Sequence, residues 1–139
     1  MYSKIELVVF DIAGTTVQDN GEIAVAFQEA LQSFGYVVPV EKINPLMGYK
    51  KTEAIERMLK EYETSKEKIT PVFIQDIHKC FVKNMVDYYA VAGNVKPLPY
   101  AEEVFAYFKR INIKIGLNTG FPKEITDVII DRLDRKSVV

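Results

Sequence analysis

Two short runs of β-forming residues lie far apart in this chain, and only helical patterns occur between them. The first run, "IELVVF" at 5–10, ends at Asp11, and the second, at 113–117, ends in the small polar segment 118–120. Continuous apolar runs of this length are typical of strands buried on both faces of a parallel sheet. Together with the helical patterns around the second run, they predict an α/β fold.

The stretch between the two runs predicts three helices. Apolar residues recur at helical spacing over 22–34, from Thr52 to Tyr62, and from Thr70 to Gly93. Thr52 and Thr70 are suited to capping the second and third helices, because their hydroxyls can accept first-turn amides. No strand pattern interrupts these helices, so we predict a helical domain inserted into a partial α/β core. The predicted boundaries are 20–96 for the helical domain, and 1–19 with 97–139 for the core.

Charge and composition limit the partners of the chain. Its 139 residues are 48% hydrophobic, and 18 Lys plus Arg against 19 Asp plus Glu give a net charge of −1. Without a basic face, we expect neither nucleic acid nor an anionic membrane as a partner. No apolar stretch reaches the ~20 residues of a membrane span, and the start lacks the features of a signal peptide, so we expect a cytoplasmic protein. The single Cys80 is expected to be structural.

The two strand ends predict a shared ligand site. Ligands of open α/β sheets bind outside the carboxyl ends of the strands, where Asp11 and Thr119 both lie if the strands are parallel neighbours. Thr119 offers a hydroxyl, Gly120 allows close approach to the backbone, and a helix opening at Pro122 would direct free amides and a positive dipole end there. This combination predicts an anion site, with phosphate as the commonest occupant.

Asp11 has two chemical roles open to it beside a phosphate. A carboxylate there can hold Mg²⁺ together with a backbone carbonyl, waters and the phosphate itself. It can also attack phosphorus directly and form an aspartyl-phosphate. The alternative interpretation is structural, because Asp before Gly and Thr often caps a turn.

Two segments resemble one superfamily. "VVFDIAGTTV" at 8–17, the helical insert and "IKIGLNTGF" at 113–121 are similar to the haloacid dehalogenase superfamily, and within it to the phosphonatase branch. The resemblance implies a Rossmann-like core with a helical cap, Asp11 as nucleophile and magnesium ligand, and Thr119 with Gly120 as the phosphate-binding residues. The superfamily's first motif is D-x-D-G-T. Ala13 stands at its second Asp, as is typical of this branch, so only the main chain of Ala13 can contribute to a metal site.

The segment "MGYKK" at 47–51 resembles the M-G-x-x-K of phosphonatases, whose lysine forms an imine with an aldehyde substrate. This implies that Lys51 is catalytic, and attack on a carbonyl requires an environment that favours its neutral amine. A protonated imine accepts the electrons of a breaking carbon–phosphorus bond, so no acid is needed at Ala13. The alternative is that Lys50 and Lys51 form a solvated helix start.

Two features leave other functions open. The branch has a histidine where this chain has Ala54, and we expect the only histidine, His78, to have no chemical role; hydrolysis of a small phosphate ester therefore stays open. Family members also continue past residue 139, through a motif with Lys or Arg and one with acids, so we expect a truncated chain. The alternatives are a weakened hydrolase, a fragment that binds phosphate-bearing ligands, a helical interaction module, or a homodimer whose second copy covers the open core.

Overall fold

The computed structural model describes residues 4–91 and 93–133. The parts of the predicted domains at 1–3, Ala92 and 134–139 lie outside these residues. Two strands and six helices are described, and they confirm the α/β class. In chain order they are β1 Leu7–Asp11, α1 Glu22–Ser33, α2 Val40–Ile43, α3 Lys51–Tyr62, α4 Pro71–Ala90, α5 Ala101–Arg110, β2 Lys114–Asn118 and α6 Lys123–Arg132.

The two strands form a parallel sheet in which Leu7 pairs with Lys114 and Asp11 with Asn118. One face of this sheet packs on α5, where the ring of Phe10 lies 5.3 Å from that of Phe105. The other face stays exposed. The prediction that β1 is buried on both faces is therefore wrong for the described residues, because helices cover only alternate side chains of the strand.

The chain divides into two compact units. The first comprises Met1–Asn20 and Tyr88–Val139, and the second comprises Gly21–Asp87. In the first unit the buried residues include Phe105, Ile115, Ile125 and Ile129, and in the second they include Phe27, Leu31, Ile55, Leu59, Phe81 and Met85. The predicted domain boundaries, 20–96 for the helical domain and 1–19 with 97–139 for the core, remain a prediction.

The starts of the helices follow local chemistry. Thr70 accepts the Phe73 amide at 3.1 Å and α4 begins at Pro71, which confirms the predicted cap. The cap predicted at Thr52 is wrong, because α3 begins one residue earlier and Lys50 is its N-cap without a side-chain bond.

Ion pairs one turn apart, such as Glu53 with Arg57, stabilise the exposed face of α3.

None of the helices described between residues 4 and 133 combines the length and the apolar character that crossing a bilayer requires.

Candidate functional site

A tight loop follows Asp11 at the end of β1. The amides of residues 15–17 all donate to the Ile12 carbonyl, at 2.9–3.2 Å, and the Gly14 amide donates to the Val17 carbonyl at 2.8 Å. Gly14 has a φ of 76°, in the left-handed region that glycine adopts without strain. These bonds turn the chain back immediately after Asp11, so its side chain remains exposed at the carboxyl end of the strand.

Two threonines donate hydrogen bonds to different groups of Asp11. The hydroxyl of Thr16 is almost fully buried and donates to the main-chain carbonyl of Asp11 at 2.9 Å. The hydroxyl of Thr15 is exposed and donates to Oδ2 of the Asp11 carboxylate at 3.4 Å. Thr16 therefore fixes the backbone of Asp11, while Thr15 restrains its carboxylate and leaves it accessible.

The second strand brings Thr119 to the same end of the sheet. Asn118 is the register partner of Asp11, and Thr119 follows it directly. The Phe121 amide donates to the Thr119 hydroxyl oxygen at 3.0 Å, which leaves the hydroxyl hydrogen able to donate to a ligand. A Cβ added at Gly120 would meet no atom within 4 Å apart from its chain neighbours, so there is open space where that atom would lie.

Helix α6 starts just after this segment. Pro122 is its N-cap and makes no side-chain cap bond, so the first-turn amides are left to other acceptors. Such a terminus favours an anion through its free amides and its dipole. Asp11, Ala13, Thr119 and Gly120 thus belong to segments that meet at one end of the sheet.

The residues at this end offer few metal ligands. Across the described parts of the chain, no three His, Cys, Asp or Glu side chains form a cluster that could hold a metal ion. The Asp11 carboxylate and the Ala13 carbonyl are two hard oxygen ligands, and Mg²⁺ characteristically completes its octahedron with waters and substrate phosphate. The donor set therefore fits a Mg²⁺ held jointly by this loop and a phosphate.

Lys51 lies in the second unit and begins α3. Its Nζ donates to the carbonyl of Met47 at 2.7 Å and to that of Tyr49 at 3.2 Å. The neighbouring Lys50 is exposed and lines an open groove of about 440 Å³, together with Thr52 and other residues of α3 and α4. Successive helical residues point in different directions. A solvated helix start therefore describes Lys50, whereas Lys51 is half-buried against its own loop.

The position of the missing histidine is informative. Ala54, which stands there, is fully buried in the second unit. The only histidine, His78, is half-buried on α4, with its ring 6.2 Å from that of Phe81. Its ring packs against the ring of Phe81, and the absence of a chemical role for His78 stays a prediction.

Sequence reasoning missed two interactions in the second unit. Arg57 places its guanidinium 4.4 Å from the centre of the Tyr49 ring, and only the spacing of Arg57 from Glu53 hinted at an ordered arginine. The hydroxyl of Tyr36 donates to Oε2 of Glu63. Burial and this bond raise the pKa of Tyr36 to about 12, and the same bond lowers the pKa of Glu63.

Comparisons with known proteins identify a family and several relatives of this chain. A family described as haloacid dehalogenase-like hydrolases matches residues 5–138. A phosphonoacetaldehyde hydrolase of Hahella chejuensis is 33% identical over 136 residues, which is 91% of this chain and 45% of that protein. One of Vibrio cholerae is 32% identical over 138 residues, 94% of this chain and 51% of that protein. The chain spans about half the length of these curated relatives.

Solved structures share the fold. CbbY of Rhodobacter sphaeroides, solved in complex with phosphate, superposes with a TM-score of 0.77 at 23% identity over 93% of this chain and 57% of that one. A hydrolase of Pseudomonas syringae superposes with a TM-score of 0.75 at 16% identity, over 94% and 56%. These likenesses confirm the predicted Rossmann-like core.

The family match includes both segments on which the resemblance rested, 8–17 and 113–121. The relatives named above are phosphonoacetaldehyde hydrolases, as the phosphonatase-like motifs predicted. The chain belongs to the haloacid dehalogenase-like hydrolase family.

Proposed function

We propose that this chain carries the nucleophile and part of the phosphate site of a hydrolase that cleaves the carbon–phosphorus bond of a small phosphonoaldehyde. The observation that carries the proposal is the register of the sheet, in which Asp11 pairs with Asn118 and the next residue is Thr119. The similarity to phosphonoacetaldehyde hydrolases supports the substrate class. The chain spans about half the length of those relatives.

The proposed reaction divides the work between two residues. The Lys51 amine condenses with the substrate aldehyde and releases water, forming a protonated imine. A carboxylate oxygen of Asp11 then attacks phosphorus, and the electron pair of the carbon–phosphorus bond moves through the carbon to the imine nitrogen, giving an enamine. Proton uptake and hydrolysis of the enamine release the aldehyde product, while water cleaves the aspartyl-phosphate to inorganic phosphate.

The phosphate group would be held by the chain's own donors. The hydroxyl of Thr119 and the first-turn amides of α6 would donate hydrogen bonds to the phosphoryl oxygens and stabilise their negative charge. Mg²⁺, when bound by the Asp11 carboxylate and the Ala13 carbonyl, would neutralise charge on the phosphoryl group. Ala13 has no proton to deliver to a leaving group, which suits a carbon leaving group stabilised by an imine better than an alkoxide.

The test measures phosphate release and phosphate binding separately. We expect Asp11→Asn to abolish release from phosphonoacetaldehyde and from a small phosphomonoester, and Lys51→Arg to abolish only the former. Calorimetry with inorganic phosphate and Mg²⁺ should show weaker binding in Thr119→Val than in the parent chain. Unchanged phosphate release in Asp11→Asn would contradict the proposal.

Hydrolysis of a small phosphate ester is the second candidate. Ala54 favours it, since the phosphonatase branch carries a histidine at that position and the alanine here is fully buried. Under this alternative Asp11 is still the nucleophile and Thr119 still binds phosphate, but Lys51 forms no imine. Equal phosphate release from the ester by the parent chain and by Lys51→Arg, with none from the phosphonate, would favour it.

A further inference from the structure

The residue paired with Asp11 across the sheet is Asn118, the last residue of β2. Both residues are exposed at the carboxyl end of their strands. Neighbouring strands of a sheet lie about 4.8 Å apart. If their side chains point to the same face, one small molecule can therefore contact both of them.

The contacts of Gly116 show that paired residues of this sheet do share a face. A Cβ added at Gly116 would lie 3.4 Å from a methyl group of Val9, its register partner. Side chains alternate between the two faces along a strand, so the pair two residues further on, Asp11 and Asn118, lies on the same face as Val9. The exposure of positions 7, 9 and 11 in β1, against the half-buried positions 8 and 10, follows the same alternation.

The carboxamide of Asn118 is available to a ligand. Its side chain is exposed, and no hydrogen bond joins it to any residue at 4–91 or 93–133. The amide nitrogen can donate two hydrogen bonds. The neighbouring hydroxyls differ in this respect, because that of Thr15 donates to Asp11 and that of Thr119 accepts the Phe121 amide.

A phosphonate or phosphate at this end of the sheet depends on neutral donors. The first cationic residue after Thr119 is Lys123, and its ammonium is ion-paired with Asp127 at 2.5 Å. Hydrogen bonds from neutral N–H and O–H groups to a charged acceptor are stronger than those between two neutral groups. An additional N–H donor beside Asp11 would therefore contribute to holding the anion.

We infer that Asn118 is a further binding residue for the phosphoryl group, and that its carboxamide N–H donates to one phosphoryl oxygen. The inference rests on the proposed function, in which Asp11 attacks phosphorus. In-line attack leaves three equatorial oxygens around the reaction axis, and a donor beside the attacking carboxylate can reach one of them. The same hydrogen bond serves the substrate, the aspartyl-phosphate and inorganic phosphate, so inorganic phosphate is a valid probe.

The first test is calorimetry of the full chain with inorganic phosphate and Mg²⁺. We expect Asn118→Ala to bind phosphate about tenfold more weakly than the parent chain, the factor expected when a hydrogen bond to a charged group is lost. Asn118→Gln keeps the carboxamide and should bind phosphate more tightly than Asn118→Ala. Circular dichroism should be the same in all three chains, because Asn118 is exposed.

A second measurement tests directly whether Asn118 lies beside Asp11, and it requires neither phosphate nor turnover. Asn118→Asp adds a second carboxylate next to that of Asp11, and such a pair binds a hard divalent cation more tightly than one carboxylate does. Binding of Mn²⁺ alone, measured by electron paramagnetic resonance, should become about tenfold tighter.

The matched control is Asn112→Asp. Asn112 is exposed and precedes β2, so this variant adds the same charge at the opposite end of the strand. Its φ of 60° is one that aspartate also adopts. We expect Asn112→Asp to bind both Mn²⁺ and phosphate like the parent chain. Equal Mn²⁺ affinities in Asn118→Asp and Asn112→Asp would overturn the inference.

The results distinguish this inference from the proposed function. Equal phosphate affinities in the parent chain and Asn118→Ala overturn the inference and leave the proposed function standing. If phosphate binding depends on Asn118 but Asp11→Asn releases phosphate as fast as the parent chain, the proposed function fails and the binding role of Asn118 stands. A parent chain that binds no phosphate overturns both.

Discussion

Thr15 and Thr16 are adjacent in the loop after β1, but they contact Asp11 through different atoms. Thr16 is 3% exposed and donates to the main-chain carbonyl, whereas Thr15 is exposed and contacts the carboxylate at 3.4 Å. A buried acceptor that loses its donor costs about 1–3 kcal/mol, while a long exposed bond contributes much less. Substitution of Thr16 should therefore affect mainly the stability of the chain, and substitution of Thr15 mainly the Asp11 carboxylate.

We expect Thr16→Val to lower the free energy of unfolding by about 1–3 kcal/mol, because the Asp11 carbonyl loses its buried donor. Thr15→Val is the matched control and should change it by less than about 0.5 kcal/mol. Urea unfolding followed by circular dichroism measures both. An equal loss in the two variants would show that burial of the Thr16 hydroxyl does not matter.

Two glycines of the site provide a second pair. Gly14→Ala should destabilise the chain by about 1 kcal/mol or more, since its φ of 76° is strained for any other residue. Gly120→Ala should leave stability nearly unchanged, because its new methyl group would meet open space. If that space admits phosphate, Gly120→Ala weakens binding of inorganic phosphate in calorimetry. Unfolding that is equally affected in both variants would contradict this assignment.

At the scale of elements, a tyrosine–carboxylate pair joins the segment after α1 to the end of α3. Tyr36 donates to Glu63, and the amide of Ser65 also donates to the Glu63 carboxylate, at 2.9 Å. These bonds favour the ionised carboxylate, so the pKa of Glu63 lies below its usual 4.5. Burial is the main reason that the pKa of Tyr36 is raised to about 12, and the bond to Glu63 adds to it. The phenol therefore stays neutral over a wider pH range.

The pair predicts how stability depends on pH. Glu63 contributes stability that is present above pH 4.5 and is lost as the pH falls through its lowered folded pKa. Tyr36 contributes stability that is present below pH 10.0 and is lost as the pH rises towards 12. Urea midpoints across pH 3–12 should therefore fall at both ends, and Tyr36→Phe should flatten both falls. The exposed Tyr107→Phe is the control, and curves of the same shape in all three chains would contradict the prediction.

The start of a helix could be predicted from the sequence where residues of its own first turn determine it. The cap of α4 was predictable because Thr70 and Pro71 act within one turn. The start of α3 was not, since no side chain caps it and its loop is held by Arg57 acting on Tyr49 from within the helix. Two main-chain carbonyls accept hydrogen bonds from Lys51, and sequence patterns do not distinguish one main-chain carbonyl from another.

At the scale of the whole molecule, one property of the sheet could be predicted from the sequence and another could not. The convergence of Asp11 and Thr119 on one end followed from the rule that parallel strands place ligands at their carboxyl ends. The exposure of β1 was not predictable, because an apolar run indicates that a strand can be buried and says nothing of whether the other layer is present. Leu7 and Val9 are 54% and 55% exposed, so the described residues leave this face uncovered.

This open face predicts association of a polypeptide made of these 139 residues. Val9 lies opposite Gly116, where an added Cβ would sit 3.4 Å from a Val9 methyl group, so the Val9 side chain extends over the glycine on this face. Parallel sheets in proteins are covered on both faces, and a two-stranded sheet is only marginally stable by itself. We therefore propose that a second copy covers this face in the isolated polypeptide, giving a homodimer.

Light scattering coupled to size-exclusion chromatography tests the proposal. The parent polypeptide should elute as a dimer that dissociates on dilution, and Val9→Lys should elute as a monomer, because an ammonium group cannot be buried unpaired against the same face of another copy. Val72→Lys is the matched control, since Val72 is 71% exposed on α4 in the other unit and should leave the dimer intact. A parent chain that is monomeric at every concentration, or a dimer that Val9→Lys leaves unchanged, would show that this face is not the contact surface.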